Sequence, residues 1–146
     1  MAEFINKLSL RWSDLDPNFH IRHTAYYDFG AQQRLEILQA YGISTLAMAE
    51  GHFGPVLFRE ECVFKKEIRL SDTVLVSTQI AKLRPDASRW TIVHQFLNED
   101  RSKNYATLTV DGAWMDTQLR KLVSPVPQII IDGMQRITKT ADFKIV

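Results

Sequence analysis

Trp12–Tyr26 reads WSDLDPNFHIRHTAY, and the rest of the chain takes its meaning from this stretch. An alternating segment leads into it. Over residues 5–13, Leu8, Leu10 and Trp12 share one parity and Lys7, Ser9 and Arg11 the other, the spacing of a half-buried strand. Asp14 to Asn18 interrupt that strand, and Pro17 disfavours helix at Asp16. From His23 the period becomes helical. Tyr26, Phe29, Gly30, Ile37, Ala40 and Tyr41 fall on one side, and Leu35 and Leu38 widen the apolar arc. Asp28, Gln32, Glu36 and Gln39 form a narrow polar stripe, so the helix is expected to be enclosed on most sides. Gly42 suits its C-terminal cap. A carboxylate at a strand end therefore faces a helix start. The first offers a base or a nucleophile; the second offers free N–H donors and a partial positive charge.

Downstream, Ser44–Glu50 suits a second short helix, and the chain then turns strand-rich. Val56, Phe58, Cys62, Phe64, Ile68 and Leu70 share one parity across two segments, with a turn at Ser71-Asp72. Residues 73–83 form the next strand, and Arg84–Ser88, with Pro85-Asp86, a hairpin connection. In residues 89–98, Trp90, Ile92, His94 and Phe96 alternate against Thr91, Val93, Gln95 and Leu97. Residues 104–116 make the last long strand, Ser124–Pro127 stops the sheet, and a short helix is expected from Gln128 to Ile137. Strands joined by short turns cannot be parallel neighbours. The expectation is an α+β fold, a five-stranded antiparallel sheet wrapped around one long central helix. Periodicity alone also suits cystatin-like and START-like arrangements.

Composition narrows the class. The chain has 146 residues, 45% of them hydrophobic, which fits one folded domain over 1–146 and excludes disorder. A net charge of +1 gives no reason to expect nucleic acid or an acidic membrane as partner. Cys62 is the one cysteine, so no intrachain disulfide can form. The opening MAEFINKLSLRW has no long apolar run, and a cytoplasmic location with no membrane partner is the expectation.

With these patterns set out, the chain resembles the hotdog-fold acyl-CoA thioesterases of the 4-hydroxybenzoyl-CoA thioesterase type. Their opening D-x-D-x-x-G-H-V-N-N-x-x-Y is met here by Asp14, Asp16, Phe19, His20, Ile21, Arg22, His23 and Tyr26. Tyr26–Arg34, YYDFGAQQR, is similar to the family's helix pattern Y-x-x-x-x-E-x-A-R, and Phe64–Val76 to its strand–turn–strand. Three positions depart: Phe19 stands for the family's glycine, Arg22-His23 for Asn-Asn, and Gln32 for the helix glutamate.

The resemblance implies hydrolysis of an acyl-CoA thioester without metal or organic cofactor, in a homodimer or homotetramer. It assigns Asp16 the part of general base or nucleophile and the amide of His23 a place in the oxyanion hole. Thr24 offers a second amide. His20 shapes the loop, Asp14 holds it through bonds to backbone, and Phe19 and Tyr26 border the substrate. Lys82, Arg84 and Arg89 lie around one predicted loop, in a region that contacts CoA in relatives. The residues themselves leave two alternatives: a hotdog protein that binds an acyl thioester or apolar ligand without turnover, and a hotdog dehydratase using the His20/His23 pair. Glu60 shares parity with Phe58, Cys62 and Phe64; a strand break that turns it outward is expected, with a low-rank catalytic role as the other reading. Cys62 is expected in the core, and no Cys/His spacing suits zinc.

Overall fold

The computed structural model describes residues 3–146. After strand β1 (Phe4–Lys7) come helices α1 (Ala25–Ala40) and α2 (Thr45–Gly51). Four strands follow, β2 (Phe53–Phe64), β3 (Leu75–Leu83), β4 (Arg89–Leu97) and β5 (Asn104–Asp116). The chain ends with β6 (Lys121–Leu122), α3 (Gln128–Gln135) and β7 (Lys139–Ile145). The main sheet runs β1-β3-β4-β5-β2, all antiparallel, with α1 against its inner face. This is the hotdog arrangement.

The apolar periodicity explains the packing. Ile37 on α1, Ile80 on β3, Ile92 and Phe96 on β4, and Leu108 on β5 are all buried in one core. Each such side chain contributes about 1.5–3 kcal/mol on leaving water. The stripe of Asp28, Gln32, Glu36 and Gln39 stays exposed, as its spacing requires. The chain leaves α1 through Gly42 at φ +93°, a conformation that suits residues without a Cβ.

Three expectations about the strands need correction. The first strand stops at Lys7, and Trp12, expected to point inward, is 74% exposed. A 3₁₀ turn over Trp12–Asp14 replaces the extended chain and carries Asp14 inward instead, with Arg11 folding back onto its carboxylate. Of the two strand segments expected over Val56–Leu70, only the first forms a strand, ending at Phe64; the amides of Lys65 and Lys66 both turn to the Tyr105 carbonyl, and beyond them Arg69 makes an isolated bridge to His20. The sheet also gains β6 beside β5, and β7 parallel to the second half of β3. β1 pairs with the first half of β3, so β1 and β7 share that flank in succession.

β2 forms the opposite end of the sheet, paired to β5 alone. A register shift between Leu57 and Arg59 leaves Phe58 out of the ladder. Leu57, Phe58, Val63 and Phe64 are all exposed large apolar side chains along it.

Candidate active site

Between β1 and α1 the backbone closes a compact loop. The Asp16 amide donates to the His20 carbonyl at 2.8 Å, and the Phe19 amide to the Asp16 carbonyl at 3.0 Å. Asp16 Oδ1 accepts the amides of Asn18 at 2.8 Å and His20 at 3.1 Å, an Asx turn that fixes the carboxylate. Oδ2 accepts no hydrogen bond among the described residues. Phe19 takes φ +63°, so the backbone keeps the left-handed conformation that the family's glycine would favour, with the ring thrown out to solvent.

Asp14, two residues earlier, is buried and fully engaged. Its Oδ2 accepts from the Arg11 amide and Nε, and its Oδ1 from Arg11 Nη2 at 2.9 Å and Arg22 Nη1 at 3.4 Å. The Arg11 bonds hold its carboxyl below the usual carboxylate range, against burial, which raises it. The expectation of backbone partners for Asp14 is met only by the Arg11 amide; guanidinium groups supply the rest.

The loop delivers the chain into α1 through a turn in which the Ala25 amide donates to the Arg22 carbonyl at 3.0 Å. His23 and Thr24 occupy its centre. Thr24, at the N-cap, has φ −68° and ψ −26° and makes no side-chain cap bond. The amides of His23 and Thr24 have no hydrogen-bond partner among the described residues. This helix start is thus an uncapped set of donors.

Asp16, His20, His23 and Tyr26 line one cleft of about 360 Å³, with Phe64, Lys65, Lys66 and Glu67 opposite. Tyr26 is buried edge-on between Phe64, 5.0 Å away, and Phe96, 5.2 Å away, and burial pushes its hydroxyl up to about 12. His20 Nε2 lies 3.0 Å from Glu67 Oε2. Phe19 and Thr24 lie beside the cleft, not in its wall.

Lys82, Arg84 and Arg89 do not gather. Lys82 borders the outer face of the sheet with Thr91 and Asp111, and Arg84 sits beside Pro85 and Phe143. Arg89 stacks 4.5 Å over the Phe58 ring. They lie on β3, past its end, and at the start of β4, so strand alternation sends them apart. The cations at the cleft are Lys65 and Lys66, which the sequence had placed inside a strand.

A second polar group lies deep under α1. His94 is buried between Arg34 Nη1, 3.1 Å from its Nε2, and the Ser77 carbonyl, 3.1 Å from its Nδ1. Arginine only donates and a carbonyl only accepts, so the proton sits on Nδ1 and the ring is neutral. Burial pushes the imidazole down to about 3, and Arg34 adds to the shift. Arg34 Nη2 continues to Glu60 Oε2 at 3.5 Å. Glu60 therefore faces the helix instead of turning outward, because the shift at Phe58 precedes it and the parity it shares with Cys62 and Phe64 resumes. Gly30 makes the room: a Cβ there would meet Leu108 at 2.3 Å and His94 at 3.3 Å. A histidine sharing parity with Trp90, Ile92 and Phe96 was the sequence sign of this burial. Cys62 is half-buried against the core, its thiol pushed up to about 11 by burial. Among the described residues no cluster of three His, Cys, Asp or Glu is disposed to hold a metal, and no helix is long and apolar enough to cross a membrane.

The family model of the thioesterase-like superfamily matches residues 10–135, and the chain belongs to that superfamily. Among solved structures, a 1,4-dihydroxy-2-naphthoyl-CoA thioesterase from Synechocystis superposes with TM-score 0.79 at 15% identity, over 92% of this chain and 97% of that one. A Staphylococcus aureus protein solved in complex with CoA gives 0.86 at 14% identity, over 98% and 90%. A hypothetical protein from Aquifex aeolicus gives 0.80 at 20%, over 90% and 98%. These likenesses show the fold. No curated protein matches the chain.

Proposed function

We propose that the protein hydrolyses the thioester of an acyl-CoA at the Asp16 cleft. The observation that carries this reading is the pairing in one cleft of a carboxylate with one oxygen fixed and the other free, and a helix start with open amides. Asp16 takes the proton of a water that attacks the thioester carbon, or attacks that carbon itself to give a mixed anhydride that water then hydrolyses. The amides of His23 and Thr24 stabilise the oxyanion, and the C–S bond breaks with departure of the CoA thiolate. Lys65 and Lys66 line the cleft and are the cations placed to meet coenzyme phosphates. Two chains join along β2, whose free edge and exposed Leu57, Phe58, Val63 and Phe64 call for a cover. The Staphylococcus aureus neighbour in complex with CoA and the Synechocystis thioesterase support the ligand class.

The test is thiol release from short-chain, long-chain and aromatic acyl-CoAs by the wild type and by Asp16→Asn. The expected result is turnover of at least one substrate, falling about 10²–10⁴-fold in the variant. Equal turnover by both, or none by the wild type across the panel, overturns the proposal.

A further inference from the structure

A second pocket, of about 310 Å³, opens beside the β2 edge on the far half of α1. Leu35, Leu38, Trp90, Trp114 and Met134 wall it, and Arg34 is the charged residue among them. None of these residues lines the Asp16 cleft. Volume and lining fall in the range of small-ligand sites, which are mostly apolar with a few placed polar groups.

Two observations give the ligand its chemistry. Arg34 is only 8% exposed, yet among the described residues its five N–H donors meet just His94 Nε2 at 3.1 Å and Glu60 Oε2 at 3.5 Å. The contact to Glu60 is longer than a charge-assisted bond between such groups, 2.7–2.9 Å. Donors on a buried cation therefore remain for an acceptor arriving through the pocket. Trp90 and Trp114, which form its wall, also carry the buried indole N–H groups that have no partner among the described residues. Buried donors in native proteins are nearly always paired, so three residues that line the pocket carry donors left without acceptors among the described residues.

We infer that this pocket binds a free apolar carboxylic acid, with its hydrocarbon body among Leu35, Leu38, Trp90, Trp114 and Met134 and its carboxylate on the Arg34 guanidinium. An alcohol of the same length fills the space without satisfying the charge, and a thioester has no carboxylate to offer. Glu60 competes with the ligand for Arg34. This site stands on its own geometry and not on the hydrolysis proposed above.

Octanoate is the probe, and the fluorescence of Trp90 and Trp114 the readout, in a Trp12→Phe background that removes the exposed indole. Octanoate shifts the emission saturably, and octanol binds at least about tenfold more weakly, as does octanoate to Arg34→Gln, the loss of a charge-assisted bond. Glu60→Gln tightens binding. Ala31→Phe, at an exposed position of the pocket wall, blocks octanoate while leaving the unfolding midpoint in place, which covers the case in which Arg34→Gln fails to fold. Octanoyl-CoA added to Asp16→Asn leaves the emission unchanged. The inference is overturned if octanoate does not bind the wild type, if octanol binds as well, if Ala31→Phe binds normally, or if octanoyl-CoA reproduces the shift. Failure of the thioesterase reading registers separately, as absence of thiol release.

Discussion

Asp14 and Asp16 stand two residues apart and do opposite things. Asp14 sits in the 3₁₀ turn, buried, with both oxygens claimed by Arg11 and Arg22. Asp16 sits in an Asx turn, with one oxygen claimed by two amides and the other free at the wall of a cleft. The first carboxylate is spent on building the loop; the second is held still by the loop and kept available. What separates them is the number of donors the backbone and neighbours direct at each, not residue type. A buried polar group with every partner in place is structure, and the fixed one with an oxygen left over at a cleft is the one the proposed mechanism uses.

The comparison extends to the helix start, where availability belongs to the backbone. His23→Pro removes an amide donor at the second position of the Arg22–Ala25 turn, where proline is favoured. On the proposed mechanism it lowers kcat for acyl-CoA hydrolysis about 10²–10³-fold, the cost of an oxyanion donor. His23→Ala, which keeps the amide, stays within a few-fold; a steady-state comparison of the two checks this. An alanine variant as damaged as the proline variant would shift the role to the imidazole.

The structural half breaks by stability. Asp14→Asn leaves Arg11 and Arg22 without their shared anion and lowers unfolding free energy by about 2–3 kcal/mol, read by urea titration. The wild type also loses the Asp14 contribution in acid. Its folded carboxyl lies below the ordinary value, so the stabilisation is present above that value and disappears as pH falls through the folded one.

His94 supplies a second acid sensitivity at higher pH. The imidazole is down to about 3 in the folded chain and ordinary when unfolded, near 6.5. Between those values the unfolded chain binds more protons, so stability is full above 6.5 and falls as pH drops toward 3. The expected slope reaches about 1.4 kcal/mol per pH unit. Urea midpoints at pH 7, 6 and 5 check it; His94→Gln flattens that part of the profile. The smallest effect belongs to Phe19. Glycine there relieves the φ of +63°, worth about 1–2 kcal/mol, offset by its own chain entropy. A net gain below about 1 kcal/mol follows, seen as a small rise in thermal midpoint.

Much of this was legible in the sequence. The enclosed helix announced itself through its narrow polar stripe, and β3, β4 and β5 through alternation and turn chemistry. Asp16, His20, His23 and Tyr26 could be read together because they are neighbours in the chain. Lys65, Lys66 and Glu67 reach the same cleft from the end of β2, and only the turn toward the Tyr105 carbonyl brings them there. After the early end of β1, Arg11 and Asp14 make a local i,i+3 contact around a 3₁₀ turn, which alternation alone does not reveal. β7 went unread although KTADFKI alternates Ala141, Phe143 and Ile145 against Thr140, Asp142 and Lys144; the segment is mostly exposed, and its order comes from pairing with β3. The Arg34–His94–Glu60 group joins a helix and two strands, and needed the register of all three.

Asp14→Asn and Asp16→Asn measured side by side, as thiol release per folded molecule with the unfolding midpoint of each, test the distinction most directly. The account predicts that Asp16→Asn keeps its midpoint and loses turnover by orders of magnitude, while Asp14→Asn loses stability and keeps most of its turnover. Equal turnover in Asp16→Asn and wild type, or the loss falling on Asp14→Asn instead, would contradict it.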